Sequence, residues 1–221
     1  MQILIGVDAG VSAPTGLGAD LRAQFAQSGR HSQAAALNAA AKLIDGDVVA
    51  LLEDDDQWEP QFLELAIATL NRFDFVSSTQ LEVLTNGNVV RVNDFATPSG
   101  WVMKRKVWQS VGEFDENFRW HLDNDWLGRL RQANITRAHL VEATAPTQIA
   151  DAQAVRRWLA FVVQRSGGMC QLVRHGSPWP LVKRTVHEES GMWRIARNPT
   201  LRAQSENERA ELVKKYGLVP W

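Results

Sequence analysis

Two periods of hydrophobic and polar residues take turns along this chain. Gln2–Val7 is a short apolar run of mostly branched residues that stops at Asp8-Ala9-Gly10, which predicts a buried strand opening into a loop. Ala9–Gly18, rich in Gly, Ser, Pro and Thr, is expected to be irregular. Ser32 is a suitable cap for an alanine-dominated helix running to about Leu43, and Gly46 breaks it. Asp47–Glu53 predicts a second buried strand that again ends in carboxylates. Pro60 suits the first position of a helix, in which Phe62, Leu63, Ile67 and Leu70 recur at helical spacing. Phe73–Val92 holds two β-rich runs divided by Asn86-Gly87, a hairpin signal. Lys104–Val111 predicts a helix closed by Gly112. Asp123–Ala133 predicts another, acidic at its start and basic at its end, with Trp126, Leu127 and Leu130 on its inner face. Ile135–Val141 reads as a strand, Asp151–Arg165 as an amphipathic helix, and Ser205–Tyr216 as a charged helix closed by Gly217. Strands alternating with helices predict an α/β fold with a largely parallel sheet, whose ligands sit beyond the carboxyl ends of the strands.

Composition narrows the class. The 221 residues are 45% hydrophobic and 22% charged, enough for one globular domain with a real core. A net charge of −1 argues against a nucleic-acid binder, yet the charge is uneven. Residues 151–221 carry 12 Lys and Arg against 6 Asp and Glu, whereas the first 150 carry 12 against 19. The one cysteine, Cys170, excludes an internal disulfide framework and a cysteine-rich zinc site. Met1–Asp8 has no basic leader, and the longest apolar runs fall far below the ~20 residues of a spanning helix, so a cytoplasmic location is expected. Nine tryptophans against one tyrosine suit a bulky core, and also surfaces that stack on sugar rings or meet a membrane.

The chemistry concentrates at Glu53-Asp54-Asp55-Asp56, directly after a buried strand. In an extended segment Glu53 and Asp55 point the same way. Adjacent carboxylates repel one another, and a divalent cation with oxygen ligands relieves that repulsion while keeping positions open for phosphates. The competing reading is a solvated acidic turn that caps the helix at Pro60.

The wider order of motifs favours the first reading. Ala35-Ala-Leu-Asn38-Ala precedes the strand that ends at Glu53-Asp54-Asp55-Asp56-Gln57-Trp58. Thr97-Pro-Ser-Gly-Trp101 follows, then Val111-Gly-Glu-Phe-Asp115-Glu-Asn-Phe, then Leu122-Asp-Asn-Asp-Trp-Leu-Gly-Arg129-Leu. Taken together over residues 1–145, this order resembles the family 2 glycosyltransferases of the glycosyltransferase A fold. The resemblance implies a Rossmann-like core at 1–145, with a mostly parallel central sheet, and a basic, Trp-containing helical extension at 146–221 packed on that core. The family's usual first strand, ending in a Pro-x-Tyr-Asn motif, has no counterpart ahead of Gln2–Val7.

The resemblance also implies an activity, a hexosyltransferase reaction from a nucleoside-diphosphate sugar, with a UDP-sugar as the expected donor, to a carbohydrate, small-molecule or lipid-linked hydroxyl. Asp55 and Glu53 then hold Mn²⁺ or Mg²⁺, with His187 or His175 as a further ligand and His187 the one adopted. Asp8, Asn38, Glu53 and Asp54 fall on the nucleotide side. Asp123 falls on the general base of inverting members, although Leu122 stands where the motif has Glu. Ser99, Gly100 and Trp101 fall beside the donor sugar and acceptor, and Trp120 and His121 shape the acceptor side. Arg129 is expected to be structural. The basic helix at 151–165 either packs on the acidic body or meets an anionic membrane surface. A catalytically idle sugar- or nucleotide-binding module and a retaining transferase are the alternatives. A nucleotidyltransferase is disfavoured, since no Gly-rich phosphate loop with a lysine is present.

Overall fold

The computed structural model describes residues 1–13, 22–143 and 169–220. Strand β1 (Ile3–Val7) pairs in parallel with β2 (Ala23–Gln27), from Ile3 opposite Ala23 to Val7 opposite Gln27. Helix α1 (Gln33–Ala41) starts where the Ser32 hydroxyl accepts the Ala35 amide at 3.2 Å. Its alanines let it lie directly on β1, so closely that a Cβ at position 6 would overlap the Ala36 carbonyl, and only glycine fits there.

From there the chain weaves two further sheets. In order come β3 (Val48–Ala50), β4 (Gln57–Trp58), α2 (Phe62–Thr69), β5 (Phe75–Ser78), β6 (Gln80–Leu84) and β7 (Val89–Asn93). A single 3-10 turn at Pro98–Gly100 leads into β8 (Val102–Lys104), α3 (Arg105–Val111), α4 (Leu122–Gln132) and β9 (Arg137–Val141). Beyond residue 168 lie β10 (Cys170–Arg174), β11 (Val182–Val186), α5 (Gly191–Arg197) and α6 (Pro199–Tyr216). The central sheet has the order β10-β9-β5-β8-β3 and the smaller one β4-β11-β6-β7. Strands β5, β9 and β10 are parallel, but β8 runs against both its neighbours. The reason is its entry point. The Pro98–Gly100 turn packs on Ser78 at the carboxyl end of β5, so β8 descends from the end at which its neighbour finishes.

The expected helical extension is therefore amended. Residues after 168 contribute a strand to each sheet, β10 alongside β9 and β11 between β4 and β6. The helix expected at Asp151–Arg165 lies outside the described residues, as does the second half of the irregular loop at 9–18. Among the described residues, no helix is long and apolar enough to cross a membrane.

One face of the central sheet is closed by α3 and α4 over a fully buried aromatic group. Trp101 packs against Trp126 at 5.0 Å and Phe75 at 5.5 Å between ring centroids, with Phe114 stacked at 6.1 Å. The other face is covered by α2, where Phe62 and Ala66 meet Val76, Val102, Leu181 and Val182. Burying each such large side chain stabilises the fold by roughly 1.5–3 kcal/mol. The α4 carboxylate Asp125 is wholly buried yet fully satisfied, accepting from Arg129 Nε at 3.0 Å, Lys215 Nζ at 2.7 Å and the Tyr216 hydroxyl at 2.8 Å. Asp94, just after β7, is the opposite case. It is 4% exposed, and neither carboxylate oxygen has a hydrogen-bond partner. Burial, then the nearby Glu142 charge, push its carboxyl up to about 8.

Candidate active site

Strand β3 delivers its following residues to the carboxyl edge of the central sheet. There the chain turns, with the Asp56 amide donating to the Glu53 carbonyl at 3.2 Å. This turn brings Glu53, Asp55 and Asp56 together, with one carboxylate oxygen of each within 4.8 Å of the others. Asp54, expected on the nucleotide side, is exposed and stays outside the group, whereas Asp56, given no role from the sequence, joins it. Alternation along an extended strand does not survive the turn.

The floor of the cluster is the Pro98–Gly100 turn. Ser99, fully buried, accepts the Glu53 amide on its hydroxyl at 3.0 Å, and its carbonyl accepts the Trp58 indole N–H at 2.6 Å. The wall is β11, absent from the sequence-based expectations. Thr185 donates its amide to Asp56 Oδ1 at 2.9 Å. Arg184 is held by the buried Glu82 at 3.4 Å and lies within electrostatic reach of Glu53, Asp56 and Asp123. His187, just past the strand, places Nε2 at 3.0 Å from Asp55 Oδ2. Gln33, at the start of α1, donates to Glu53 Oε1.

These surroundings make the carboxylates reluctant to ionise. Burial pushes Glu53 up to about 7, against the pull of Arg184 and with a further push from Asp56 and Asp55. Burial likewise raises Asp56, whose Oδ2 is buried with no partner. An unpartnered buried oxygen beside two crowded carboxylates and an imidazole is a donor set that suits a divalent cation taking oxygen and nitrogen ligands.

The turn after His187 leads to the second group. Ser190 donates to the His187 carbonyl at 3.0 Å, and Gly191 then sits against Trp120, so close that a Cβ there would be 3.5 Å from the ring. Trp120 keeps a buried indole N–H without a partner. Three residues on, Asp123 is partly exposed and accepts the Asn124 amide on Oδ1 at 2.8 Å. Burial raises its carboxyl above the ordinary range, while the Asn124 amide, His121 and Arg184 oppose the shift. Such a carboxylate takes up a proton more readily near neutrality than an exposed one.

Several residues assigned from the resemblance have other work. Trp101 is fully buried in the aromatic core, with its N–H on the Ala96 carbonyl at 2.9 Å, and has no face free for a sugar. Gly100 is buried, and its lack of a side chain is a packing need, since a Cβ would press on Gln80 and Ser78 at 3.2 Å. Ser99 supports the acidic turn from below, and its burial leaves no exposed contact for substrate. Asn38 has both ends of its amide on the Phe114 backbone, at 2.8 and 2.9 Å, tying α1 to the turn before α4. His121 has both ring nitrogens occupied, by Asn124 at 2.9 Å and Ser205 at 2.9 Å, so it braces α4 and cannot face an acceptor with a free nitrogen. His175 is buried with neither ring nitrogen bonded, whereas His187 meets Asp55. Asp8 ends β1 beside His31 at 3.2 Å and keeps one buried oxygen unpartnered. Arg129 pairs with Asp125 and donates to the Val111 carbonyl at 2.7 Å, joining α3 to α4.

An α/β sheet whose carboxyl edge joins an acidic turn to a raised carboxylate on a neighbouring helix has the construction of a sugar-transferring enzyme. The family model described as glycosyl transferase family 2 matches residues 23–157, more than half of the chain, and the chain belongs to that family. It is a glycosyltransferase with a glycosyltransferase A fold. No curated protein matches it. The family implies a nucleotide-sugar donor and an acceptor, and the matched segment ends before β11, so Arg184, Thr185 and His187 reach the site from outside it.

Proposed function

We propose that this enzyme transfers a sugar from a UDP-sugar to an acceptor hydroxyl in a reaction that depends on Mn²⁺ or Mg²⁺ and inverts the anomeric centre. The observation that carries the reading is the meeting of Glu53, Asp55 and Asp56 with His187 and Arg184 at one sheet edge. Asp55, Asp56, Glu53 and His187 would hold the cation. When bound, it supplies charge that offsets the negative charge growing on the departing diphosphate. Arg184 adds a fixed guanidinium on the same side. Asp8, with its unpartnered oxygen, faces the nucleoside end.

On the acceptor side Asp123 acts as the general base. The acceptor oxygen attacks the anomeric carbon, the bond from that carbon to the phosphate oxygen breaks, and the hydroxyl proton passes to Asp123. Its raised titration suits a base working near neutral pH. Trp120, with a free N–H and a partly exposed ring, borders the acceptor.

The test is release of UDP from a panel of UDP-sugars with Mn²⁺, together with calorimetry of UDP binding. Asp55→Ala is expected to abolish Mn²⁺-dependent binding, and Asp123→Asn to abolish release while binding persists. UDP binding that ignores Mn²⁺ and is unchanged by Asp55→Ala would contradict the proposed site. Retention of the anomeric configuration in the product would overturn the role given to Asp123.

A further inference from the structure

Helix α4 carries Asp123 but has no side-chain cap of its own at His121. The turn that leads into it is held from 87 to 89 residues further along. Glu208 on α6 accepts three consecutive backbone amides, those of Arg119 at 3.0 Å, Trp120 at 2.8 Å and His121 at 3.1 Å. Successive N–H groups converging on one carboxylate form a strong, charge-assisted anion nest. Two further bonds tie the same turn to the end of the chain, Ser205 to His121 Nε2 and Asn124 Nδ2 to the Pro220 carbonyl at 2.8 Å. Because the Asn124 carbonyl oxygen can only accept, His121 Nδ1 donates to it, while Nε2 meets the Ser205 hydroxyl.

We propose that α6 is a positioning element for the reaction, in which Glu208 fixes the Arg119–His121 backbone and thereby the placement of Asp123. This rests on the reading of Asp123 as the base. Docking of α6 has separate anchors, Leu212 with no exposure and the Lys215 and Tyr216 bonds to Asp125. Glu208 instead grips the backbone of the segment that carries Trp120 and leads into Asp123. The Asn124 amide that orients Asp123 belongs to the same turn. Glu208 lies beyond the family-matched segment 23–157, so this grip is supplied from outside it.

The test uses the full chain with Mn²⁺ and UDP-glucose, UDP-galactose and UDP-N-acetylglucosamine, measured well below each variant's melting midpoint. Glu208→Gln keeps the size but turns two of the facing acceptor lone pairs into N–H donors. It is expected to lower kcat about tenfold or more, with donor KM within about twofold, as a small misplacement of a reacting group does. In an Asp123→Asn background it should add no further loss. The exposed neighbour Arg209→Gln should behave as the parent. A parent-like kcat, a loss shared equally by KM, or a loss that multiplies that of Asp123→Asn overturns the proposal. A donor-free measurement accompanies it, the carboxyl-carbon titration of Asp123 by NMR, with His121 and Arg184 as the facing charges. Glu208→Gln should move the midpoint toward the ordinary carboxylate range as water enters, and an unmoved midpoint overturns the proposal. If Asp123→Asn keeps the parent rate, the base reading fails on its own, and the titration still reports whether Glu208 sets the surroundings of Asp123.

Discussion

Adding Mn²⁺ to the protein should expel protons, and the amount follows from the structure. Glu53 titrates at about 7 because it is buried beside Asp55 and Asp56, so below that pH its carboxyl is mostly neutral. A cation binds the ionised form, so the proton must leave. For one group with that midpoint, about 0.9 proton is released per cation at pH 6 and about 0.1 at pH 8. Asp56 is raised as well and adds to the release in the acidic range. From Glu53 alone the apparent affinity should therefore rise up to about tenfold per pH unit below 7 and level off above it. Stability follows the same sign. A raised carboxyl favours the folded state at low pH, and that contribution is lost as pH climbs from the ordinary range through about 7. Mn²⁺ should then raise the melting temperature more at pH 8 than at pH 6. Calorimetry in two buffers of different ionisation enthalpy reads the proton count, and Glu53→Gln should remove most of the pH dependence. A binding constant that is flat from pH 6 to 8, with no proton release, would refute the reasoning.

Two further outcomes follow. Trp101→Ala should cost roughly 3–5 kcal/mol by opening a cavity among Phe75, Phe114 and Trp126, read in urea denaturation, while UDP affinity of the folded protein stays near the parent value; lost UDP affinity with parent stability would put the ring back in the sugar site. Asp125→Ala strands Arg129, Lys215 and Tyr216 around a buried gap and should cost about 3–5 kcal/mol, a fall of roughly 6–20 °C in melting temperature; a fall under about 3 °C would show that the network contributes little.

Local signals were legible and distant ones were not. Ser32, Gly112 and Gly217 mark helix ends through chemistry confined to a few residues, and the structure ends its helices there, with φ of 86° and 75° at the two glycines. Asn86-Gly87 makes its hairpin between β6 and β7 for the same reason. The acidic run was visible, but its geometry was not, because a turn at Asp54 and Asp55 replaces the period of two and brings in Asp56. Ser99, Gly100 and Trp101 occupy the expected place in the chain but point inward, since a 3-10 turn rotates them into the core. Strand β11, Val182–Val186, is apolar only at its ends and polar between, a weak signature for a half-buried strand whose partners lie about a hundred residues away. Glu208 sits in an exposed charged helix, and nothing near it in sequence shows which backbone it meets.

The unpaired carboxyl of Asp94 makes stability fall as pH rises from the ordinary carboxylate range to about 8. Its proton is retained up to about pH 8 only because the folded chain shields it, so the native state holds a hydrogen ion that the unfolded chain gives up near the usual acidic midpoint. Each step upward in pH across that interval tilts the balance toward unfolding. Above it, a bare charge lies buried just after β7, near Glu142. A leucine or asparagine at this position would remove that drain, so the folded protein would hold its stability more evenly from mildly acidic to mildly basic medium.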